Sequence, residues 1–251
     1  MRIVATVQAR MSSERLPGKV LIPINGRCIL ERQLERIKRS RLIDEVVVAT
    51  TTNPADGAIV ELCNKMGVKI FRGSEEDVLG RIAATLKAFA VELHVEMIGD
   101  SPFSDPHIID EVIGYYLKHQ GELDYVSNGT KLTYPSGMEV NVYPARVLLE
   151  VESQIAREDP LREHVDVHLN KNPCLRKVCL EAPERYRRQG IFLEVDTEKD
   201  FEMVSRLFKH FDDAGKAHFS LAQILDVLDA YPEIIAINQK EERRWWQFKE
   251  P

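Results

Sequence analysis

The chain has 251 residues, 44% of them apolar and 29% charged, with 34 Lys plus Arg against 40 Asp plus Glu for a net charge of −6. That length and composition suit one sizeable globular domain with a core of its own. An acidic balance argues against a general nucleic-acid or membrane-surface binder, which needs a basic face to collect phosphates, but leaves room for a local basic pocket.

In chain order, Ile3 to Val7 is a short β-branched run, as expected of a strand buried on both faces. A polar loop from Gln8 to Gly26 follows, and Ile29 to Arg39 is an amphipathic helix with Ile29, Leu30, Leu34 and Ile37 on one face. Glu45 to Thr50 is a second buried strand. Asn53-Pro54 starts a helix over Ala55 to Met66 that stops at Gly67. Val68 to Phe71 is a strand, Val78 to Phe89 a helix, Val95 to Ile98 a strand ending at Gly99-Asp100, and Pro106 to Lys118 a helix.

The second half is less regular. Strands are expected at Asp124 to Ser127, Met138 to Tyr143 and Leu193 to Val195, and helices at Arg146 to Ala156, Leu161 to Leu169, Phe201 to Phe211 and Leu221 to Ala230. The alternation in the first half predicts an α/β fold, a mostly parallel sheet with helices on both faces and right-handed crossovers. A single domain over 1–251 is expected, with an irregular β-containing second half.

No apolar stretch approaches the roughly 20 residues that span a bilayer. Ile3 to Val7, cut off by Arg10, is too short for a signal-peptide core. Cys28, Cys63, Cys174 and Cys179 do not look like a disulfide framework. The expectation is a soluble cytoplasmic protein.

In open α/β sheets ligands sit beyond the carboxyl ends of the strands, so the loops after Val7, Phe71 and Ile98 are where chemistry is expected. The first of these, Gln8 to Lys19, carries a net charge of +2. Arg10, Arg15 and Lys19 can converge on a polyphosphate, with Ser hydroxyls and loop N–H groups as further donors. A solvated basic loop is the alternative reading of the same residues. Neither G-x-x-x-x-G-K-[ST] nor G-x-G-x-x-G occurs, so this is not a P-loop or a dinucleotide fingerprint.

Ala9-Arg10-x-x-Ser13-x-Arg15-Leu16-Pro17-Gly18-Lys19 resembles the signature of the cytidylyltransferases that activate acidic sugars, the CMP-Kdo and CMP-sialic acid synthetases. The frame extended to Val20-Leu21 is closer to the branch of the spore coat polysaccharide biosynthesis protein F. The resemblance implies a fold of the nucleotide-diphospho-sugar transferase type. It also implies a loop that wraps the triphosphate of CTP with Ala9, Arg10, Ser12, Ser13, Arg15 and Lys19, of which Arg15 and Lys19 would be catalytic. Phe71 to Arg81 resembles the family segment R-G-S-E-x-D-V-L-x-R, implying that Arg72, Gly73, Ser74 and Arg81 border the nucleotide. An Arg81 that merely pairs with Asp77 one helical turn away is the structural alternative.

Gly99-Asp100-Ser101-Pro102 resembles the family's G-D-x-P, and Val195-Asp196-Thr197-x-x-Asp200 its V-D-T-x-x-D. By that resemblance Asp100, also catalytic, and Asp196 would jointly hold Mg²⁺, an ion usually held by one or two carboxylates plus substrate phosphates and waters. Asp200 alternatively serves the first turn of the helix that follows. Tyr134 to Val142 resembles Y-P-x-G-x-x-x-x-V, and Arg162-Glu163-His164-Val165 resembles R-E-H-V. These imply an acceptor site with Tyr134, Glu139, Asn141, Arg162 and His164. The branch commonly has acidic residues where Ser136 and Asn141 stand and often Arg where Glu96 stands, so this chain departs from it on the acceptor side.

The implied function is transfer of CMP from CTP to a Kdo- or sialate-like keto-sugar with release of pyrophosphate, for surface polysaccharide biosynthesis. A nucleotidyltransferase for another small acceptor, such as a phosphonate or an amino-sugar acid, and a related glycosyltransferase are the alternatives. A glycosyltransferase of similar fold would typically place D-x-D at a strand end, where Asp100-Ser101-Pro102 stands. Relatives are commonly dimers, so a homodimer is expected, with 131–188 as the acceptor and dimer region. His164 and His168, four apart, make a weak metal pair, and Trp245-Trp246 beside Arg243-Arg244 is expected to pack a tail rather than stack bases.

Overall fold

The computed structural model describes residues 1–244; Trp245 and Trp246 lie outside the described residues. The elements in order are β1 (Ile3–Gln8), β2 (Pro23–Ile24), β3 (Arg27–Cys28), α1 (Ile29–Ile37), β4 (Glu45–Thr51), α2 (Gly57–Met66), β5 (Lys69–Gly73), α3 (Val78–Ala88), β6 (Leu93–Ile98) and α4 (Pro106–Lys118). They continue with β7 (Tyr125–Ser127), β8 (Asn141–Pro144), α5 (Ala145–Gln154), α6 (Val165–Lys171), β9 (Lys177–Cys179), α7 (Glu198–Asp213), α8 (Leu221–Ala230) and α9 (Pro232–Ile235).

Seven strands form one sheet in the order β5-β4-β1-β6-β8-β7-β9, while β2 and β3 make a separate small hairpin. Only β8 runs against its neighbours β6 and β7; the other pairings are parallel. Along β1, Ile3, Ala5 and Val7 enter one core with α1, α2, α4, α7 and α8, while Val4 enters a second with α3, α5 and α6. This period-two division between two covered faces is why the strand sequences are apolar throughout. The expected α/β class and two-faced sheet are observed.

The chain order turns around at β1. It steps outward to β4 and β5, then returns to place β6 on the other side of β1. The loops leaving β1 and β6 diverge there and open a crevice at the carboxyl ends of the two strands, where ligands of such sheets bind. The ends themselves stay close: Gly99 N–H donates to Gln8 O at 2.8 Å. A Cβ at residue 99 would lie 2.6 Å from that same oxygen, so this approach requires glycine.

Three expectations fail in the second half. Leu193 to Val195 is not a strand. Phe192 alone bridges to Ser136, and Val195 N–H donates to Asp100 O at 2.9 Å, so the segment is an extended connection tied to the β6 loop. Met138 to Tyr143 is extended for only its last part, because Asn128 takes Met138 O and Val140 N–H with its side-chain amide. Leu161 to Leu169 is two pieces: a 3-10 turn over Pro160–Glu163, then α6, with His164 between them at φ −121° and ψ 100°. Strand β9, the β2–β3 hairpin and α9 were not expected. No helix among the described residues is long and apolar enough to cross a membrane.

Candidate active site

The loop after β1 is shaped by its own backbone. Gly18, at φ 71°, turns the chain so that its N–H reaches Met11 O at 2.8 Å, and Lys19 N–H reaches Leu16 O at 3.1 Å. Met11 N–H is held by Asp56 Oδ1 at 2.8 Å, and Asp56 is itself buried under the end of β4, accepting from Thr50 and Thr51. The charged side chains of the loop are thereby aimed at the β1–β6 crevice.

There Lys19 Nζ lies 2.8 Å from Asp100 Oδ2 and 2.8 Å from Asp196 Oδ1, and Arg15 Nη2 lies 2.7 Å from Asp196 Oδ2. Residues 81 and 177 positions apart in sequence from Lys19 thus share one ammonium. Burial opposes charge on Lys19, but Asp100 and Asp196 outweigh it and hold its pKa above the ordinary lysine value. Burial likewise opposes charge on Asp196, and Lys19 and Arg15 outweigh it, keeping the carboxyl ionised below its usual range. The ammonium has three N–H donors and the carboxylates take two, so one remains for a ligand.

Asp196 is placed by the start of α7. Thr197 caps the helix in a reciprocal capping box with Asp200, and Asp200 Oδ2 accepts from Asp196 N–H at 3.1 Å and Thr197 N–H at 2.9 Å. Asp200 therefore serves the helix start, the structural alternative the sequence offered, and through it the Asp196 backbone.

A cleft of about 430 Å³ opens beside this triad. Of the expected site residues, Ala9, Arg10, Ser13, Arg15 and Lys19 from the loop line it, together with Arg81, Asp100, His164 and Asp196. Ser12 lies beyond it, where its hydroxyl donates to Glu75. Arg10 pairs with Glu163 at 3.0 Å. Arg81 is buried, donates to Ser74 O, and has its pKa pulled down to about 10, first by burial and then by the nearby Arg10. The Arg81–Asp77 pairing, the alternative the sequence offered, is not what the side chain makes.

Other expected residues are not brought to the cleft. Arg72 donates to Thr51 O and Asn53 O, bracing the turn after β4, while Gly73 ends β5 and the Ser74 hydroxyl caps Asp77 N–H. Arg162 is buried with its guanidinium spent on Asp77 and on Glu152 at 2.8 Å. Glu139 accepts from Gly137 N–H, and Asn141 Oδ1 accepts from Tyr125 and Ser127 hydroxyls. Tyr134 is buried against Tyr186.

The sequence reading missed Ile98, which is 55% exposed although it ends a buried strand, and Val78, both apolar walls of the cleft. It also missed Glu14, Glu163 and Arg244. Position at the carboxyl end of β6 was the available signal for Ile98; Arg244 had none. Among the described residues no group of three or more His, Cys, Asp or Glu forms a metal cluster. The donor set of two carboxylates still suits Mg²⁺, which draws its remaining ligands from phosphates and water.

A family model described as cytidylyltransferase matches residues 4–240. An uncharacterized protein of Methanocaldococcus jannaschii is 43% identical over 239 residues, covering 95% of each chain. The spore coat polysaccharide biosynthesis protein SpsF of Bacillus subtilis is 32% identical, over 92% of this chain and 95% of its own. A solved cytidylyltransferase of Leptospira borgpetersenii superposes with a TM-score of 0.87 at 30% identity, over 97% of this chain and 99% of that one. The fold is of the nucleotide-diphospho-sugar transferase type.

Proposed function

The chain belongs to the cytidylyltransferase family, and from that premise we propose that it transfers CMP from CTP to a hydroxyl of a small acidic sugar, releasing pyrophosphate, for surface polysaccharide biosynthesis. The observation that carries this is the Lys19 ammonium shared by Asp100 and Asp196 across the ends of β1 and β6, with Arg15 against the same carboxylate. The acidic sugar is supported by the likeness of the Ala9–Lys19 loop to the CMP-Kdo and CMP-sialic acid synthetase signature, and the pathway by the name of the Bacillus subtilis relative, a spore coat polysaccharide biosynthesis protein.

The acceptor hydroxyl gives up its proton to solvent as its oxygen attacks the α-phosphorus and the bond from that phosphorus to the bridging oxygen of pyrophosphate breaks, the electron pair leaving with pyrophosphate. Arg10, Arg15 and Lys19 bind the phosphates, the guanidinium groups by forks and the ammonium as a compact charge. As pyrophosphate departs, negative charge grows where Lys19 and Arg15 are already fixed, so they stabilise the transition state without reorganising. No side chain needs to become covalently attached; positioning and charge carry the rate. Asp100 and Asp196 would hold Mg²⁺, which would neutralise phosphate charge. His164 and Arg81, which line the cleft, are assigned to the acceptor side and to the nucleotide respectively. The same reading places the protein in the cytoplasm as a homodimer. Region 131–188 is our choice for the contact, since it contains β9, the edge strand of the sheet among the described residues.

Pyrophosphate release with each of the four nucleoside triphosphates, Mg²⁺ and a panel of 3-deoxy-keto-sugar acids tests this reading. CTP alone should support release, with a CMP-sugar detected by mass spectrometry. Release from another triphosphate in preference, or a CTP-dependent product without acid sugar, would overturn it.

A further inference from the structure

The match to the family model stops at residue 240, yet the chain beyond it reaches the site. Arg243 is a buried cation, its side chain fully enclosed and its guanidinium 4.2 Å from the centre of the Phe192 ring. Its Nη2 lies 2.7 Å from Asp200 Oδ1 and donates to Asn238 O at 3.2 Å, and its Nη1 lies 3.4 Å from Glu194 Oε1. Asn238, also buried, donates to the same Asp200 Oδ1 at 2.8 Å and to Phe192 O at 3.0 Å. The Asp200 side chain is itself fully buried.

The two oxygens of Asp200 therefore face opposite ways. Oδ1 takes the tail, from Arg243 and Asn238; Oδ2 takes the turn that carries Asp196, from Asp196 N–H, Thr197 N–H and the Thr197 hydroxyl at 3.0 Å. A carboxylate buried this deeply needs a counter-charge, and a single planar group transmits any shift at one oxygen to the other. The tail also touches the cationic loop directly: Arg15 Nη1 donates to Glu242 O at 3.4 Å and Arg244 pairs with Glu14 at 2.9 Å.

We propose that Arg243 is a positioning residue that fixes the Asp196 carboxylate against Lys19 by holding Asp200 in place. The proposal rests on the transfer reading for its kinetic consequence, while its structural consequence stands apart from that reading. A helix cap alone needs only Thr197 and Asp200; the added tail cation clamps the turn that presents Asp196. The sequence gives no local sign of this, because its two carboxylate partners lie 43 and 49 residues away.

The test compares Arg243→Ala and Arg243→Lys in the full chain by hydrogen exchange and by steady-state pyrophosphate release from CTP. In Arg243→Ala, amides of Asp196 and Thr197 should exchange at least about tenfold faster while those of β1 and α1 keep their wild-type rates, as expected of local rather than global opening. The same variant should lose about tenfold or more in kcat with KM for CTP within about threefold of wild type, the pattern of a lost transition-state interaction. Arg243→Lys, which keeps the charge, should recover most of both. Unchanged exchange at Asp196 and Thr197, equal acceleration throughout the sheet, or faster exchange at the turn with wild-type kcat would each overturn the proposal. If the wild type releases no pyrophosphate, the transfer reading fails, and the exchange arm alone decides whether Arg243 holds the turn.

Discussion

Around the ends of β1 and β6 the charged side chains reach across loops to one another and still face open space, with Lys19 between Asp100 and Asp196 and one donor to spare. Around β7 and β8 the polar side chains point into the protein and are used up there. Asn141 takes two hydroxyls, and the Arg162 guanidinium spans two carboxylates. The difference follows from topology. Parallel strands whose connections diverge leave a crevice that backbone does not fill, whereas the antiparallel β8, laid between β6 and β7, lets α5 and α6 close over that part of the sheet. Motif residues at the ends of β1 and β6 thus keep a free face, whereas Asn141 and Arg162, which match motifs within the packed half, have become structure.

The largest effect expected to follow from this contrast is at the crevice. Asp100→Asn and Lys19→Ala should each lower turnover by about 10²-fold or more, the scale of losing a preorganised charge contact, with near-wild-type thermal unfolding for Asp100→Asn, which leaves Lys19 its Asp196 partner. Near-normal CTP-dependent release from either variant would break the contrast on the crevice side.

A smaller effect is expected in the packed half. Arg162→Met strands the partly exposed Asp77 and Glu152 without their cation, so urea denaturation should show a loss of about 2 kcal/mol, less than the roughly 3–5 kcal/mol for breaking a fully buried pair because water reaches both carboxylates. Its KM for the acceptor should stay near wild type at a temperature where the variant is folded. A tenfold rise in acceptor KM with no loss of stability would return Arg162 to the substrate site.

A third effect, set by pH, lies on the seam between the two regions. His94 on β6 is fully enclosed, 2.7 Å from the Thr6 hydroxyl and edge-on to Tyr143, and burial pulls its pKa down from 6.5 to about 3. The unfolded chain takes a proton below pH 6.5 that the folded chain refuses. Stability should therefore be full above about pH 6.5 and fall as pH drops toward 3, by at most about 1.4 kcal/mol per pH unit from this group. His94→Asn should flatten that slope in denaturant titrations between pH 4 and 7; an unchanged slope would show that other groups set it.

Much of the fold was legible because β-branched apolar runs and capped amphipathic helices are local patterns, and β1, β4, β6 and α4 appear where those patterns put them. The Leu193 to Val195 run carries a strand composition but is held by single backbone bonds to two separate segments, Leu193 N–H to Ser136 O and Val195 N–H to Asp100 O, a long-range fact that no local pattern encodes. Pro160 marks where the 3-10 turn starts, not the break at His164, where α6 begins without a side-chain cap. In the site, the crowding of Arg and Lys in one strand-end loop was legible, and so was the Asp100–Asp196 pair through the motifs. The occupied state of Arg162 was not, because its carboxylates, Asp77 at the N-cap of α3 and Glu152 on α5, are brought together only by packing.

The most direct test of the central claim, that the loop cation and the two aspartates act as one unit on the nucleotide, is a double-mutant cycle. Pyrophosphate release from CTP would be measured for wild type, Lys19→Ala, Asp100→Asn and the double variant. Groups that act as a unit lose their effect together, so the double variant should be no slower than the worse single variant by more than about threefold. Losses that multiply across the cycle would contradict the account.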